Sequence, residues 1–388
     1  MQSKHILLLP SWYPANTKDI RGSFFREQAL ALVRAGYQVG VVTSELRSLK
    51  NWKSIFSLNH GCFYENDQGI NTFRFRTMYW FPKLYKLINQ LSFFGGVLAL
   101  ENYIKKFGKP DLIHVHSCLY MGRVAQYAKR KYGIKYVVTE HSSGYVRKIY
   151  NAYLLNYTKN ILQHSSKNIA VSKDMANFFK KTLTPNLTDW VTIPNIVNPL
   201  FFQNPLYEKD KNNNVFINVA FMNKNKKQIN IVKAIEGLRD QGINNIKLLL
   251  IGDGTERYRI EEYIKEKKLT NIECLGLLSR EDVVKLMAKS DFFVLSSDFE
   301  TFGVVAIEAL ACGLPVVSTK CGGPEDIVNP SNGLLVDKDN VPSLQEGLQN
   351  IMDINYDFGK IRQDCYAQYS EKAVVEKLNQ IYVEVLDL

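Results

Sequence analysis

The sequence predicts an α/β protein built from two doubly wound parallel-sheet domains. Short apolar segments typical of buried strands alternate with helix-like segments along the whole chain. A chain of 388 residues is long for one hydrophobic core and fits two domains. The alternation is interrupted at 193–206, where three prolines fall in one stretch, and the polar run 209–214 follows. We interpret this stretch as the linker between the domains.

The first domain is predicted to span residues 1–200. Short apolar runs predict strands at 5–9, 38–43, 112–116, 136–139 and 168–171. Helical segments are expected between several of them, at 24–34, 84–106 and 121–131. This βαβ rhythm is typical of a parallel sheet.

The second domain is predicted to span residues 201–370 and repeats the same rhythm. We expect its strands at 215–221, 246–251, 272–275, 292–295, 315–318 and 334–336. Helices are expected at 228–241, 256–267, 280–289, 304–312 and 341–352. The remaining segment, 371–388, has the pattern of an amphipathic helix.

Composition and cysteine spacing are those of an ordinary globular protein of the cytoplasm. The chain is 46% hydrophobic and 22% charged. Its six cysteines form no C-x-x-C pair and have no zinc-site spacing, which favours free thiols in a reducing compartment. The opening apolar run stops at Pro10 and the run 93–100 is too short to span a bilayer, so we expect neither a signal peptide nor a membrane span.

The charge is distributed unevenly between the two halves. Residues 1–200 hold 27 Lys and Arg against 10 Asp and Glu, whereas residues 201–388 hold 22 against 28. This asymmetry suggests that the first half faces an anionic partner, and a merely basic solvated surface is the alternative. No nucleic-acid motif accompanies the charge, so an anionic membrane surface is favoured and nucleic acid is not expected.

The segment 296–328 carries the strongest functional signal. A buried strand is followed by Glu300, a Thr-Phe-Gly turn, and a helix that begins near Gly303 and ends before Gly313, with Glu308 on its early turns. The amides of Phe302, Gly303 and Val304 would point out of the helix N-terminus, where unpaired N–H groups and the helix dipole favour a diphosphate. The two carboxylates could accept sugar and ribose hydroxyls. Ordinary solvated acids at a helix start are the alternative, but the joint pattern favours a nucleotide-sugar site.

Other motifs follow predicted strands, where ligands of such sheets bind. The lysine-rich loop 221–227 follows the first strand of the second domain, Gly252-Asp253-Gly254 and Gly276-Leu277 follow the next two, and Gly22 precedes the first helix. In His114-Val115-His116, alternation places both imidazoles on one side of the strand. Two histidines are weak evidence for a metal. Each of these motifs also has a purely structural interpretation.

Residues 296–328 resemble the donor-site signature of the retaining glycosyltransferases of family 4, which have the GT-B fold. The resemblance covers most of the second half and, more weakly, the first. It implies two Rossmann-like domains that face a central cleft, with the last helix, 371–388, crossing back onto the first domain. It also implies that Gly22, Lys226, Leu277, Phe302, Gly303, Val304 and Glu308 bind the nucleotide sugar, and that Glu300, His116 and Lys227 act in catalysis.

The loop 221–227 departs from the family pattern. The family has an Arg near the loop's start and a Lys five residues later, and both clamp the donor diphosphate. Lys226 or Lys227 fills the Lys position, but the Arg position falls on Phe221 or Met222. Lys224 is a possible replacement, although it supplies a point charge where Arg supplies a fork. In the first domain, Arg21 and Arg26 are candidates for acceptor contacts, and His141 is a weaker candidate than His116.

The resemblance implies a hexosyltransferase that retains the anomeric configuration and uses neither a metal nor another cofactor, with the nucleotide sugar as co-substrate. UDP is the common base of the family, and GDP remains open. The acceptor would be a saccharide used in cell-surface polysaccharide or glycolipid synthesis, and the basic first domain favours a lipid-linked one at the inner face of the membrane. Two same-face routes remain open: direct attack by the acceptor hydroxyl, and a covalent intermediate on Glu300.

Two other functions remain open from the sequence. A sugar-nucleotide epimerase of the same fold would need acid and base groups on both faces of the sugar, and it would turn over without an acceptor. A non-catalytic nucleotide-sugar-binding module would explain the missing Arg. Intact Glu300, Glu308, Gly303 and His116 argue against the second alternative.

Overall fold

The computed structural model describes residues 3–16, 19, 22–48, 60–79, 84–185, 190–206 and 214–387. The chain divides into two compact units. The first contains the residues up to Ile196 together with those from Val374 onward, and the second runs from Val197 to Ala373. Arg21 and most of the polar linker run 209–214 lie outside the described residues.

The first unit is built on a mixed eight-stranded sheet. Seven strands run parallel, and β3 pairs antiparallel with β4 at one edge. The sheet order is β3-β4-β2-β1-β5-β6-β7-β8, so the chain leaves β1 towards β2 and returns beside it as β5. The strands are β1 His5–Pro10, β2 Gln38–Ser48, β3 Gly61–Asp67, β4 Ile70–Tyr79, β5 Leu112–His116, β6 Lys135–Glu140, β7 Lys167–Ala170 and β8 Trp190–Thr192.

Helices cover this sheet, and the last one comes from the C-terminal end of the chain. They are α1 Ser23–Arg34, α2 Tyr85–Phe107, α3 Cys118–Tyr132, α4 Ala152–His164, α5 Lys173–Phe178 and α12 Glu371–Asp387. Val374, Leu378 and Tyr382 of α12 belong to the same buried core as Ile6 and Leu32 of β1 and α1. This burial of apolar side chains fixes α12 on the first unit.

The second unit is built on a six-stranded, wholly parallel sheet. Its order is β11-β10-β9-β12-β13-β14, and the chain reverses direction across the sheet between β9 and β12. The strands are β9 Asn214–Val219, β10 Ile246–Ile251, β11 Ile272–Gly276, β12 Phe292–Leu295, β13 Val316–Thr319 and β14 Gly333–Val336. The helices are α6 Gln228–Asp240, α7 Arg257–Glu266, α8 Arg280–Lys289, α9 Val304–Ala311, α10 Val341–Asp353 and α11 Phe358–Tyr369.

Both sheets therefore have a topological switch point, at β1/β5 and at β9/β12. In open α/β sheets, ligands bind outside the carboxyl ends of the strands at such points. The loops that follow β1, β9 and β12 carry the predicted site residues Gly22, Lys226 and Glu300, and His116 is the last residue of β5. Among the described residues, no helix is both long enough and apolar enough to cross a bilayer.

Candidate active site

Glu300 is fixed by its own backbone at the carboxyl edge of the second sheet. Its amide donates to the Cys321 carbonyl at 2.8 Å, and its carbonyl accepts from the Gly323 amide at 2.9 Å. The loop after β12 is thereby joined to the loop after β13. The carboxylate position consequently depends on the sheet and not on a free loop.

The Glu300 carboxylate accepts two side-chain hydrogen bonds at one oxygen. The Lys226 ammonium lies 2.5 Å from Oε1, and the Ser297 hydroxyl donates to the same atom at 2.7 Å. The side chains of Lys226 and Glu300 are 21% and 14% exposed, so both can reach solvent or a ligand. Within the described residues, the other oxygen, Oε2, has no hydrogen-bond partner.

A network of polar contacts holds the lysine loop against the loop that contains Glu300. The Ser296 hydroxyl lies 2.8 Å from the Lys226 carbonyl and 3.0 Å from the Lys227 carbonyl. The Asn225 amide group donates to the Phe299 carbonyl at 3.0 Å, and the Asp298 amide donates to the Asn225 carbonyl at 2.8 Å. The carboxyl ends of β9 and β12 are joined by these bonds, which places Lys226 beside Glu300.

Lys227 is turned towards other partners. Its backbone is left-handed, with φ 51° and ψ 33°, at the residue that precedes α6. Its ammonium lies 2.9 Å from Asp339 and 3.6 Å from Asp298. The hydrogen bond to Asp339 raises the pKa of Lys227 above its ordinary value. The structure therefore joins Lys226, and not Lys227, to Glu300.

The two positions on which the missing arginine could fall, Phe221 and Met222, differ in exposure. Phe221 is 48% exposed, whereas Met222 is buried. Lys224 is exposed as well. Of the lysines in this loop, the structure brings only Lys226 into contact with Glu300.

The N-terminus of α9 is open next to Glu300. Gly303 precedes the helix with φ 99°, a conformation that favours glycine, and the hydrogen bonds of the described residues leave the amides of Gly303 and Val304 without a partner. A Cβ on Gly323 would lie 2.3 Å from Phe302 Cα, so only glycine fits there. Phe302 itself is buried, with its ring 6.0 Å from that of Tyr369. The start of α9 is thus packed firmly while its amides stay available for an anion.

Glu308 and Leu277 lie at two further positions of the same unit. Glu308 lies on α9 and is 8% exposed. Leu277 follows β11 directly and is 62% exposed. An exposed leucine after a strand end suits an apolar contact with a planar ring.

In the first unit, His116 belongs to a buried cluster of three histidines. Its ring stacks on His114 with centroids 4.2 Å apart, and its Nδ1 lies 3.1 Å from His141 Nε2. The Gln28 amide nitrogen lies 3.5 Å from His116 Nε2. Both ring nitrogens of His116 therefore have a polar neighbour. The other nitrogen of His141, Nδ1, is buried and has no hydrogen-bond partner among the described residues.

Burial keeps this cluster neutral. It lowers the pKa of His114 and of His141 to about 3, with the nearby His114 lowering that of His141 further. It also holds the pKa of His116 well below the ordinary value, and the neighbouring histidines act in the same direction. His114 is held by Tyr382 at 2.6 Å and by Thr139 at 2.7 Å. These rings can therefore donate hydrogen bonds but do not supply positive charge.

Gly22 and Arg26 have structural partners in the first unit. Gly22 precedes α1 with φ 74°, and a Cβ there would lie 2.9 Å from the Trp12 ring. Arg26 pairs with Asp67 at 2.7 Å and donates to the Asn16 carbonyl at 3.0 Å. Arg26 thus holds the β1–α1 loop and is 5% exposed. These contacts position the loop, and a role of Arg26 in binding the acceptor stays a prediction.

Several residues that complete the site carry no clear sequence signal. Ser297 and Ser296 lie in a strand end that is apolar by composition, and their hydroxyls act on Glu300 and on the lysine loop. Glu140 is fully buried and accepts the amides of Cys118, His141 and Ser142 at 3.0, 3.0 and 3.1 Å. Its place directly before His141 is the one feature that could have identified it. Among the described residues, no group of three His, Cys, Asp or Glu side chains is arranged to hold a metal ion.

Comparison with known proteins agrees with this architecture. The family model of glycosyl transferases group 1 matches residues 202–372, and that of glycosyltransferase family 4 matches residues 22–199. An uncharacterised glycosyltransferase of Methanocaldococcus jannaschii is 32% identical over 316 residues, which cover 77% of this chain and 84% of the relative. The chain belongs to the group 1, family 4 glycosyltransferases.

Two solved structures establish the fold. Sucrose-phosphate synthase from Thermosynechococcus elongatus superposes with a TM-score of 0.79 at 22% identity, over 99% of each chain. Anabaena HepE, solved in complex with UDP, superposes with a TM-score of 0.71 at 18% identity, over 98% of this chain and 100% of HepE. The predicted GT-B fold with two α/β domains is confirmed.

Proposed function

We propose that the protein is a retaining, metal-independent hexosyltransferase that moves a sugar from a UDP-sugar to a hydroxyl of a lipid-linked saccharide. The observation that carries this proposal is the Lys226–Glu300 pair beside the open N-terminus of α9. A carboxylate that can hold sugar hydroxyls and a cation that can face a diphosphate are thereby brought to one sheet edge. The UDP bound to HepE supports the choice of base.

The leaving group requires positive charge as the anomeric bond loosens. Lys226 and the free amides of Gly303 and Val304 supply it from fixed positions, and such preorganised electrostatic stabilisation is usually the largest single term in catalysis. Glu308 binds the ribose hydroxyls and Leu277 lies against the base. Lys227, which the sequence favours as catalytic, acts here by holding Asp298 and Asp339.

Glu300 holds the hydroxyls of the transferred sugar. Its Oε1 is occupied by Lys226 and Ser297, which leaves Oε2 for a substrate hydroxyl. The acceptor hydroxyl then attacks on the face from which the diphosphate departs, and the diphosphate takes the proton. No metal or other cofactor takes part in this proposal, and the nucleotide sugar is the co-substrate.

The first unit supplies the neutral histidines and the acceptor side. His116, for which the family resemblance implies a contact with the sugar, has a polar neighbour at each ring nitrogen, Gln28 and His141. Gly22 allows the backbone before α1 to approach phosphate. The excess of basic residues in this half suits a lipid-linked acceptor at the inner face of a membrane and a cytoplasmic enzyme.

The test is release of nucleoside diphosphate from a panel of UDP-, GDP- and ADP-sugars, by wild type and by Glu300→Ala, with and without lipid-linked saccharides. We expect one UDP-sugar to be turned over, acceptor to raise the rate, and Glu300→Ala to abolish turnover while donor binding largely remains. Proton NMR of the fresh product should show the anomeric configuration of the donor.

Other outcomes identify the competing functions. Conversion of the donor to its epimer without acceptor would indicate the epimerase, and tight binding without release would indicate the binding module. Equal, unchanged activity of the Glu300→Ala and Glu308→Ala variants would contradict the site assignment. A product of inverted anomeric configuration would contradict the retaining mechanism but not the transferase activity.

A further inference from the structure

Helix α2 of the first unit is apolar on two opposite faces. Its inward face packs on the sheet and on α3 through residues such as Ile88, Ser92, Ala99 and Tyr103, all buried. Its glycines belong to this face: a Cβ on Gly95 would lie 2.0 Å from the Phe75 ring. The inward side of α2 is therefore already packed against the rest of the first unit.

The opposite face exposes a stripe of large apolar side chains. Exposed fractions are 51% for Leu84, 44% for Leu87, 60% for Phe94 and 48% for Leu98, and half-buried Leu91 lies between them. These positions recur every three or four residues, which places them on one side of a helix. With Tyr85, five of the fifteen exposed large hydrophobic side chains of the described residues fall within 84–98. Such concentration marks an interaction surface and not scattered exposure.

Lysines lie near both ends of the helix that carries this stripe, which we call the α2 stripe. Helix α2 carries Lys86, Lys105 and Lys106 but a single acid, Glu101. The Glu101 carboxylate is already paired with Lys131 at 3.1 Å and accepts the Tyr132 hydroxyl at 2.5 Å. The stripe thus has no unpaired carboxylate of its own helix to repel an anionic surface.

A second basic segment lies near the N-terminal end of α2. The Lys86 ammonium is 5.7 Å from the centre of the Tyr153 ring at the start of α4. The chain just before α4 exposes Arg147, Lys148 and Ile149, the last at 56%. Exposed apolar side chains beside lysines and arginines are typical of a protein surface that lies in the headgroup region of a bilayer.

We propose that the α2 stripe docks the first unit on an anionic lipid bilayer, with Leu84, Leu87, Phe94 and Leu98 inserted and the flanking lysines on the headgroups. The charge favours lipid over a second copy of the chain, because two copies would bring two basic surfaces together. Apolar insertion and attraction to anionic lipid act together in such binding.

The position of the helix gives this docking a consequence. Helix α2 begins soon after β4, a strand parallel to β2 and β1, so its N-terminal end lies at the carboxyl edge of the first sheet. That edge also carries the β1 loop with Gly22 and the end of β5 with His116. Docking would present this edge to lipid-linked saccharides; this link rests on the proposed function, whereas docking itself does not.

The experiment is co-sedimentation with vesicles of phosphatidylcholine alone and of phosphatidylcholine with phosphatidylglycerol. Wild type should bind the anionic vesicles, and added salt should weaken the binding. The variant Phe94→Ser/Leu98→Ser should bind at least about tenfold more weakly, because two inserted apolar side chains are lost. The matched control Tyr258→Ser/Ile354→Ser removes exposed apolar side chains of the second unit and should bind like wild type.

Three outcomes would overturn the proposal: no binding by wild type, equal binding to both vesicle types, or unchanged binding by the stripe variant. Loss of a dimer in the stripe variant, measured by sedimentation velocity, would instead assign the stripe to a second copy. Donor hydrolysis without vesicles should be the same for wild type and stripe variant. Failure of docking is thereby distinguished from failure of the proposed transferase.

Discussion

The Lys226 ammonium lies 2.5 Å from Glu300 Oε1, while the adjacent Lys227 contacts Asp339 at 2.9 Å. Two neighbouring lysines thus have different partners, which makes them a matched pair for testing the donor site. If Lys226 neutralises the leaving diphosphate, Lys226→Ala should lower kcat by about 10²- to 10³-fold. Lys227→Ala removes partly exposed ion pairs, each worth at most about 1 kcal/mol, and should change kcat by less than about tenfold.

Steady-state release of UDP measures both variants, with circular dichroism to confirm that each is folded. A greater loss for Lys227→Ala than for Lys226→Ala would return the catalytic role to Lys227, as the sequence alone suggests. Equal, small decreases in kcat for the two variants would mean that the amides at the start of α9, and not the lysines, stabilise the charge of the leaving diphosphate.

Glu308 should act on donor affinity. Its carboxylate is buried on α9, and a charged hydrogen bond to a ribose hydroxyl contributes about 1.5–3 kcal/mol. Glu308→Gln is therefore expected to raise the KM or the Kd for the UDP-sugar about ten- to hundredfold while kcat changes little. Isothermal titration with UDP measures this without turnover. Glu325→Gln, an exposed acid whose carboxylate accepts the Gly322 amide, is the control and should bind UDP like wild type.

Gly323 should be required for the start of α9. A Cβ there would lie 2.3 Å from Phe302 Cα and 2.5 Å from its nitrogen. Gly323→Ala should lower the free energy of unfolding by about 1–3 kcal/mol and weaken UDP binding, because Phe302 must move and the helix amides move with it. Urea denaturation and UDP titration measure the two effects.

Gly359 provides the control for this variant. It lies in α11 of the same unit, and a Cβ there would meet nothing nearer than an Asp357 carboxylate oxygen at 3.3 Å. Gly359→Ala should leave UDP binding unchanged and cost little stability, since alanine is favoured in a helix. Wild-type UDP affinity in Gly323→Ala would show that the Gly323–Phe302 contact does not position the amides.

The sequence predicts most of the fold because nearly all strands are short apolar runs. It does not predict β3, β4 or the three-residue strand β8. Strand β4 contains Arg74 and Arg76, which make it look polar, but both are buried and paired with Glu65 at 2.6 Å and Glu45 at 2.8 Å. A buried ion-pair network therefore hides a strand that composition would place at the surface. The antiparallel edge that β3 and β4 form in the first sheet is therefore not predicted either.

The candidate site was predictable where it lies in one continuous segment. Glu300, Gly303 and Glu308 share a strand, turn and helix whose local pattern fixes their relation. The choice between Lys226 and Lys227 depends on the left-handed backbone at Lys227, φ 51°, which a lysine rarely adopts and which sequence does not reveal. For the α2 stripe, the mixture of aromatics, leucines and lysines in 79–106 already suits a membrane interface, with a helix packed on the sheet as the alternative. The sequence does not separate the two apolar faces, and Gly95 shows which of them is buried.

The buried histidines should make the first unit sensitive to mild acid. The pKa of His114 and of His141 is lowered to about 3 in the folded protein by burial, whereas an unfolded histidine titrates near its ordinary value of 6.5. Between these values the unfolded chain takes up protons that the folded protein does not. The free energy of unfolding should therefore fall as the pH drops below about 6.5, by about 1.4 kcal/mol per pH unit for each such histidine.

His114→Gln and Tyr382→Phe separate this effect from the loss of a hydrogen bond. Both variants remove the 2.6 Å bond between His114 and Tyr382, so both should be less stable at neutral pH. Only His114→Gln removes a titrating ring, and it alone should lower the slope of unfolding free energy against pH between about 6.5 and 4.5. Urea denaturation across that range, with the chain's thiols kept reduced, measures the slopes. Equal slopes in wild type and His114→Gln would mean that His114 takes up a proton in the folded protein. The inference that the cluster beside His116 is neutral would then be wrong.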